Sequence, residues 1–287
     1  MQRKLRLKQA ALAMAAAFAF GNAHAATATL DNGTLTARIN DAGTFAEFQS
    51  DLAGSPAGSP GLSYAGVEYV NHGTPISWYA LESSTSTAIA ALGSNPFGAT
   101  TYAAGTQAST TFGFGSLTFV QTAAITAANT LSVMVSITNT GTAAMNDVKW
   151  GVGLDPDQGI SLGASFATGN TILGQGAASA VMADYAGHAV TLRNTTSASA
   201  YTIAAYIGYD CCSTVFPSTA LGAGQPLGYS NFGDYSISLA YDIGTLAAGH
   251  TATIGYEYVF AVPEPESYAL MLAGLGLLGA VARRRKA

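Results

Sequence analysis

The sequence predicts an all-β protein, either one large antiparallel β-sandwich or two smaller ones in tandem, and three observations carry that expectation. Only 9% of the 287 residues are charged while 49% are hydrophobic, so the Lys- and Glu-rich faces of solvent-exposed helices are scarce. Thirty-three glycines, with frequent Ser, Thr, Asn and Asp, punctuate the chain into short segments. Within those segments apolar and polar residues alternate with a period of two, the spacing of a strand with one buried face.

Taken in order, the chain opens with Arg3, Lys4, Arg6 and Lys8, an apolar run from Ala10 to Phe20, and the stretch Gly21-Asn22-Ala23-His24-Ala25. A basic start, a short greasy run and small residues at Ala23 and Ala25 are the layout of a secretory signal peptide over residues 1–25. The general secretion machinery and a signal peptidase cutting after Ala25 are the expected partners. Residues 26–261 are then an extracytoplasmic all-β domain.

Its clearest strand is Leu131 to Thr138, which puts Leu131, Val133, Val135 and Ile137 on one face and Ser132, Met134, Ser136 and Thr138 on the other. Asn139-Thr140-Gly141-Thr142 supplies turn chemistry, and a return strand with Val148, Trp150, Val152 and Leu154 inward predicts an antiparallel hairpin. Further strands are expected over 34–39, 67–70, 76–81, 112–120, 189–192, 201–209, 237–243 and 251–260. In the last, Ile254, Tyr256, Tyr258 and Phe260 share a face. If the body divides in two, the weak pattern at 123–129 is the place. The stretches 137–142 and 242–253 look like strand-turn elements of immunoglobulin-like domains in bacterial surface proteins, which speaks to fold class alone.

Between residues 26 and 282 only Arg38, Lys149 and Arg193 oppose all sixteen Asp and Glu, a surplus of thirteen negative charges. Such a body repels a phosphate backbone, so nucleic-acid binding is excluded as an expectation.

The best candidate for chemistry is Leu154-Asp155-Pro156-Asp157-Gln158-Gly159. Asp155 and Asp157, two residues apart, aim carboxylates at one point and Gln158 adds a carbonyl oxygen, a donor set suited to Ca²⁺. The EF-hand pattern fails after two ligands, with Gly159 at the fifth position of the loop and Phe166 at the twelfth. A metal site here has to draw on another loop, with Asp184, Asp210 and Asp234 as candidates; the alternative is a solvated Asp-Pro turn.

Cys211 and Cys212 are the chain's two cysteines and belong to an oxidising compartment, so a disulfide is expected. A bridge between neighbours is strained, because adjacent Cα atoms sit at about 3.8 Å, below the usual spacing. An intermolecular cross-link and two ordinary thiols stay open. His72, His188 and His250 are scattered, and no Gly-x-Ser-x-Gly elbow accompanies them. Trp78-Tyr79 and the other tyrosines offer flat faces to sugar rings unless they are core.

The last twenty-six residues differ in kind. Val262-Pro263-Glu264-Pro265 is stiff and extended, because proline fixes φ and biases the residue before it away from helix. Residues 267–282 carry no charge and span roughly 24 Å as a helix, slightly short of a hydrocarbon core of about 30 Å. Arg283, Arg284, Arg285 and Lys286 then mark a cytoplasmic end, with Ala287 closing the tail. This three-part tail, 262–287, closely resembles the PEP-CTERM sorting signal of Gram-negative bacteria. The resemblance implies recognition by a membrane-embedded exosortase, removal of the tail near the Pro-Glu-Pro, and delivery to the cell surface or the extracellular space. It also links such proteins to biofilm and exopolysaccharide. The function expected is therefore a non-enzymatic structural or adhesive surface protein. The alternative is a secreted carbohydrate-binding or carbohydrate-active sandwich with a calcium site.

Overall fold

A computed structural model describes residues 28–45, 61–74, 76–91, 94–104, 106–197, 201–211, 213–263 and 273–275. Four short strands, β1 (Ala28–Asp31), β2 (Leu35–Ile39), β3 (Gly61–Tyr64) and β4 (Val67–Glu68), form a small antiparallel sheet in that order. The chain continues through β5 (Ser77–Glu82), β6 (Thr87–Ala91), β7 (Thr100–Ala104), β8 (Gln107–Phe114), β9 (Leu117–Ala127), β10 (Thr130–Asn139) and β11 (Met145–Leu154). A one-turn helix α1 (Gln158–Ser161) leads to β12 (Thr168–Gly174), β13 (Ala180–Tyr185), β14 (His188–Asn194) and β15 (Thr202–Ile207). The short helix α2 (Pro217–Gly222) precedes β16 (Ser230–Gly233), β17 (Ile237–Leu246) and β18 (Thr251–Ala261).

Two large antiparallel sheets make the sandwich. One has nine strands in the order β16-β12-β13-β14-β18-β10-β9-β8-β7, the other five in the order β15-β17-β11-β5-β6. Alternation explains the nine-stranded sheet well. In β10, Leu131, Val133, Val135 and Ile137 are buried while Met134 is exposed, and in β18, Ile254, Tyr256, Tyr258 and Phe260 are buried. Its outer face is a lattice of hydroxyls, with Thr138 and Thr251 Oγ1 atoms 2.8 Å apart and Ser132 Oγ donating to Glu257 at 2.9 Å. Arg193 and Glu257, directly opposite on β14 and β18, form an ion pair of 2.8 Å.

An aromatic seam joins the two sheets. Trp150 of β11 stacks on Tyr79 of β5 with centroids 5.0 Å apart, and lies 6.2 Å from Phe112 of β8 and 5.8 Å from Phe119 of β9. Such pairs add about 0.5–1.5 kcal/mol each beyond the area they bury. The small sheet drops Leu30, Leu35, Ala37, Ile39 and Leu62 into the same continuous core, and Phe45 meets Tyr258 edge-on at 5.4 Å.

Three expectations are corrected. The hairpin foreseen between 131–138 and 148–154 does not exist: β10 pairs with β9 and β18, whereas β11 pairs with β17 and β5 in the opposite sheet. Asn139 turns the chain out of the first sheet, its amide donating to Ala143 O (2.8 Å) and Leu246 O (2.9 Å) and its Oδ1 accepting from Gly141 N–H (3.0 Å). The strand expected over 112–120 is interrupted at Gly115, whose φ of 60° makes the tight turn between β8 and β9. Residues 123–129 are not a boundary, since they lie in the β9–β10 hairpin where Ala123 pairs with Val133 at the centre of the large sheet.

The five-stranded sheet is buried on both faces. Ser77–Leu81 of β5 and Ile237–Tyr241 of β17 are buried without a break. Outside it, Trp78 packs in a cluster with Ile76, Ala80 and Ala91, and Ala220 of α2 sits on Tyr206 and Ala240. Gly151 makes room for Pro217, to which a Cβ would come within 3.1 Å.

Candidate metal centre

The chemistry gathers just past one end of the five-stranded sheet. Leu154 of β11 pairs with Ile237 of β17, and Ile207 of β15 pairs with the same Ile237, so these three residues form the last row. Because neighbouring strands run antiparallel, the chain leaves β15 and β11 and enters β17 at the same end. Asp157, Asp210 and Asp234 each stand three residues beyond that row, and Asp155 one residue beyond.

Backbone bonds fix the acidic loop. Asp155 N–H donates to Ile76 O at 2.8 Å and Asp157 N–H to Tyr69 O at 2.7 Å. Asp157 is the N-cap residue of α1, yet its side chain makes no capping bond, although Asp is favoured there for that bond. Its carboxylate instead faces Asp155 and Asp234: one oxygen from each of the three lies within 4.8 Å of the others. Asp155 and Asp157 are 2% and 1% exposed, and Oδ1 of all three acids is buried with no hydrogen-bond partner.

Burial and mutual repulsion hold these carboxyls above their ordinary range. Burial first, then the charges of Asp234 and Asp210, raise Asp155 well up; burial, then Asp155 and Asp234, push Asp157 to about 10. Asp234 is raised by burial and by Asp210. A buried cluster of this kind has two ways to escape its own charge: bind protons or bind a cation. Oxygens held by one Ca²⁺ at about 2.3–2.6 Å lie at most roughly 5 Å apart, so the observed spacing accommodates one ion.

Of the partners considered for Asp155 and Asp157, the fold brings in Asp234, sets Asp210 close enough to press on both Asp155 and Asp234, and leaves Asp184 on β13 outside the cluster. Gln158 is fully buried, its Nε2 donating to Ala183 O (3.2 Å) and His188 O (3.1 Å) while Oε1 has no partner. Cys211, next to Asp210, is disulfide-bonded; Cys212 lies outside the described residues.

A contact that sequence reading missed joins His72 and Ser161, 89 residues apart, with Nε2 and Oγ separated by 2.7 Å. Ser161 Oγ also donates to Glu68 O (2.9 Å) and accepts from Glu68 N–H (3.0 Å), so the hydroxyl is committed to stapling α1 onto β4. His72 Nδ1 is buried without a partner, which leaves the imidazole with no carboxylate to orient it. Trp78 and Tyr79, considered as sugar platforms, are each 1% exposed and belong to the interior. Among the described residues the exposed aromatic rings are Phe232, Tyr209, Tyr102 and Phe216, at 67%, 59%, 51% and 37%.

Of the sorting tail, Val262 and Pro263 continue directly from β18. Glu264, Pro265 and Arg283–Lys286 lie outside the described residues, as do Ala23 and Ala25 of the signal peptide. Among the described residues no helix is long and apolar enough to cross a membrane; all but residues 273–275 of the expected span 267–282 lie outside them.

Comparison with known proteins agrees with the tail and with the fold. The family model of the PEP-CTERM protein-sorting motif matches residues 261–286. The protein is therefore exported, anchored in the membrane before processing, and sorted by an exosortase. No curated protein matches the chain by sequence. Among solved structures, a bacterial glucoamylase complexed with acarbose is similar over 87% of this chain and 34% of its own, with 12% identity and a TM-score of 0.51. A polysaccharide lyase (14% identity, 79% of this chain and 32% of that one, TM-score 0.41) and a heparan sulfate lyase HepC mutant from Pedobacter heparinus (8%, 80% and 33%, 0.43) are also similar. The chain spans about a third of the length of these structures, and the likeness to the glucoamylase is one of fold.

Proposed function

We propose that the exported body is a calcium-holding β-sandwich that serves as a structural or adhesive protein of the cell surface or extracellular matrix, lying against exopolysaccharide. Asp155, Asp157 and Asp234 hold the ion. The observation that carries the reading is the convergence of their three carboxylates, each of which has a buried Oδ1 without a hydrogen-bond partner. Export makes the site useful, because extracellular calcium modules work at dissociation constants of about 10⁻⁴–10⁻³ M and need only modest affinity. The hydroxyl-rich outer face of the nine-stranded sheet suits a protein embedded in hydrated polymer and biofilm.

Calcium titration with thermal melting tests the site. At a hundred times its dissociation constant, a ligand bound only by the native state adds about 2.7 kcal/mol. For a body of this size that raises Tm by roughly 5–10 °C. A flat response in the wild type, or an undiminished response in Asp234→Asn, defeats the metal assignment. The routing is tested separately: cleavage after Ala25 and loss of the tail are read from the mass of the protein recovered outside the cell. Scrambling Pro263-Glu264-Pro265 should leave uncleaved protein in the membrane fraction.

A carbohydrate-active enzyme using these acids as catalysts has less support. Asp155 and Asp157 are too deeply buried to reach a glycosidic oxygen, and Asp234 alone of the three is partly open. Carbohydrate contact without catalysis is compatible with the site.

A further inference from the structure

Two segments run side by side next to the acid cluster. Residues 208–210 follow β15 and residues 234–236 precede β17; Gly208 N–H donates to Ser236 O at 2.8 Å, and a Cβ on Gly208 would collide with Ser236 Oγ. Their sequences mirror each other, Gly208-Tyr209-Asp210 against Asp234-Tyr235-Ser236 read in the opposite direction. Antiparallel alignment therefore brings tyrosine to tyrosine and acid to acid.

Tyr209 and Tyr235 have ring centroids 6.4 Å apart at 74°, and Tyr206 meets Tyr209 from another direction at 6.4 Å and 84°. Tyr209 is nonetheless 59% exposed. Its hydroxyl is fixed at 3.0 Å from the Tyr229 hydroxyl and 3.4 Å from Gln225 Nε2. Asp210 Oδ2 accepts from Ser213 Oγ at 2.6 Å, which holds that carboxylate at the surface. An aromatic ring that is open to solvent yet braced by two rings and two hydrogen bonds has little freedom left to lose on binding.

We infer that Tyr209, Asp210 and Tyr229, beside the cation held at Asp234, form a binding subsite for a neutral glycan. This rests on the calcium reading above and names what that end of the sandwich touches. The apolar C–H face of a pyranose covers the Tyr209 ring, while its hydroxyls bond to Asp210, to the tyrosine hydroxyl pair and to the open side of the cation. The surplus of thirteen negative charges on the body turns polyanions away and leaves uncharged sugars as the fitting class.

Affinity gel electrophoresis of the full-length protein in mild detergent tests the subsite. The gels hold soluble β-glucan, mannan, galactan or polygalacturonate, each with and without Ca²⁺. Retardation by at least one neutral polysaccharide in Ca²⁺ is expected, lost in Tyr209→Ala and kept in Tyr102→Ala, whose exposed ring lies on β7 at the far edge of the nine-stranded sheet. The calcium-induced rise in Tm should survive Tyr209→Ala, so loss of retardation reports the glycan contact and not the ion. Equal retardation of Tyr209→Ala and wild type overturns the subsite. So does retardation by polygalacturonate alone, or by none of the four. If the calcium response persists in those cases, the metal reading stands without the glycan.

Discussion

The two large sheets of this protein are built on different rules, and their difference locates the chemistry. The nine-stranded sheet keeps one face in water, so its strands alternate cleanly and its outer surface is a field of threonine and serine that carries the Arg193–Glu257 ion pair. The five-stranded sheet is covered on both sides, by the core within and by α2 and residue 215 without. Covering the second face takes loops, and the loops that leave β15 and β11 and enter β17 are the ones that bring Asp210, Asp157, Asp155 and Asp234 together. Regular strand faces supply stability and solubility; a sheet that has lost its solvent face supplies an enclosed end where charges are forced into company.

The comparison breaks most severely at the seam that joins the sheets. Trp150→Ala removes the ring stacked on Tyr79 and facing Phe112 and Phe119, and should cost about 3–5 kcal/mol. Urea titration measures it, and Met134→Thr on the outer face of the nine-stranded sheet, 57% exposed, should stay within about 0.5 kcal/mol.

A pH series in chelator comes next. The folded protein holds its three carboxyls above their ordinary values, so between the ordinary value of 3.8 and about 10 the native state binds more protons than the unfolded chain. The contribution of the protonated cluster is whole below the ordinary range and is lost as pH rises toward 10, at up to about 1.4 kcal/mol per pH unit for each proton involved. Melting in EDTA should thus show stability falling from pH 5 to pH 8, a fall that saturating Ca²⁺ abolishes. Asp155→Asn should make the EDTA series shallower, leaving the part that burial alone imposes on Asp157, and should remove the calcium response; an undiminished slope in that variant would place the buried charge elsewhere.

Gly153→Ala sharpens the contrast between the sheets. On a solvated face the added methyl would be harmless, but here it would run into the Trp78 ring and come within 2.8 Å of Ile237 O. A loss of about 1–3 kcal/mol is expected from overpacking. The smallest effect belongs to Arg193→Ala on the nine-stranded sheet. Its side chain is 51% exposed, so breaking its pair with Glu257 should cost less than about 1 kcal/mol, and that cost should shrink in salt.

Legibility followed the same divide. The alternation at 131–138 and 251–260 gave the correct buried faces, because a strand with one wet face prints its geometry in its own residues. The short strands β7, β12, β13 and β16 had no such print, and the two-sided burial of β5 and β17 hid Trp78 and Tyr79 in the interior. The pairing of β10 with β11 was misjudged because turn residues at 139–142 state that the chain bends, without stating into which sheet. In the acid cluster, Asp155 and Asp157 were visible as neighbours, whereas Asp234 was one of three candidates far along the chain. The mirrored tripeptides 208–210 and 234–236 carry a signal for the adjoining segments that only the strand pairing makes readable.

What the sequence settled alone was the class of fold and the address at the C-terminus, since both depend on patterns a few residues long: a period of two, and a stiff acidic motif before a greasy run and a basic end. The tertiary structure alone decided which strands are neighbours and which acids share a site. Those outcomes depend on burying surface from distant parts of the chain at once, and a carboxylate's want of a partner arises only when the fold has removed its water.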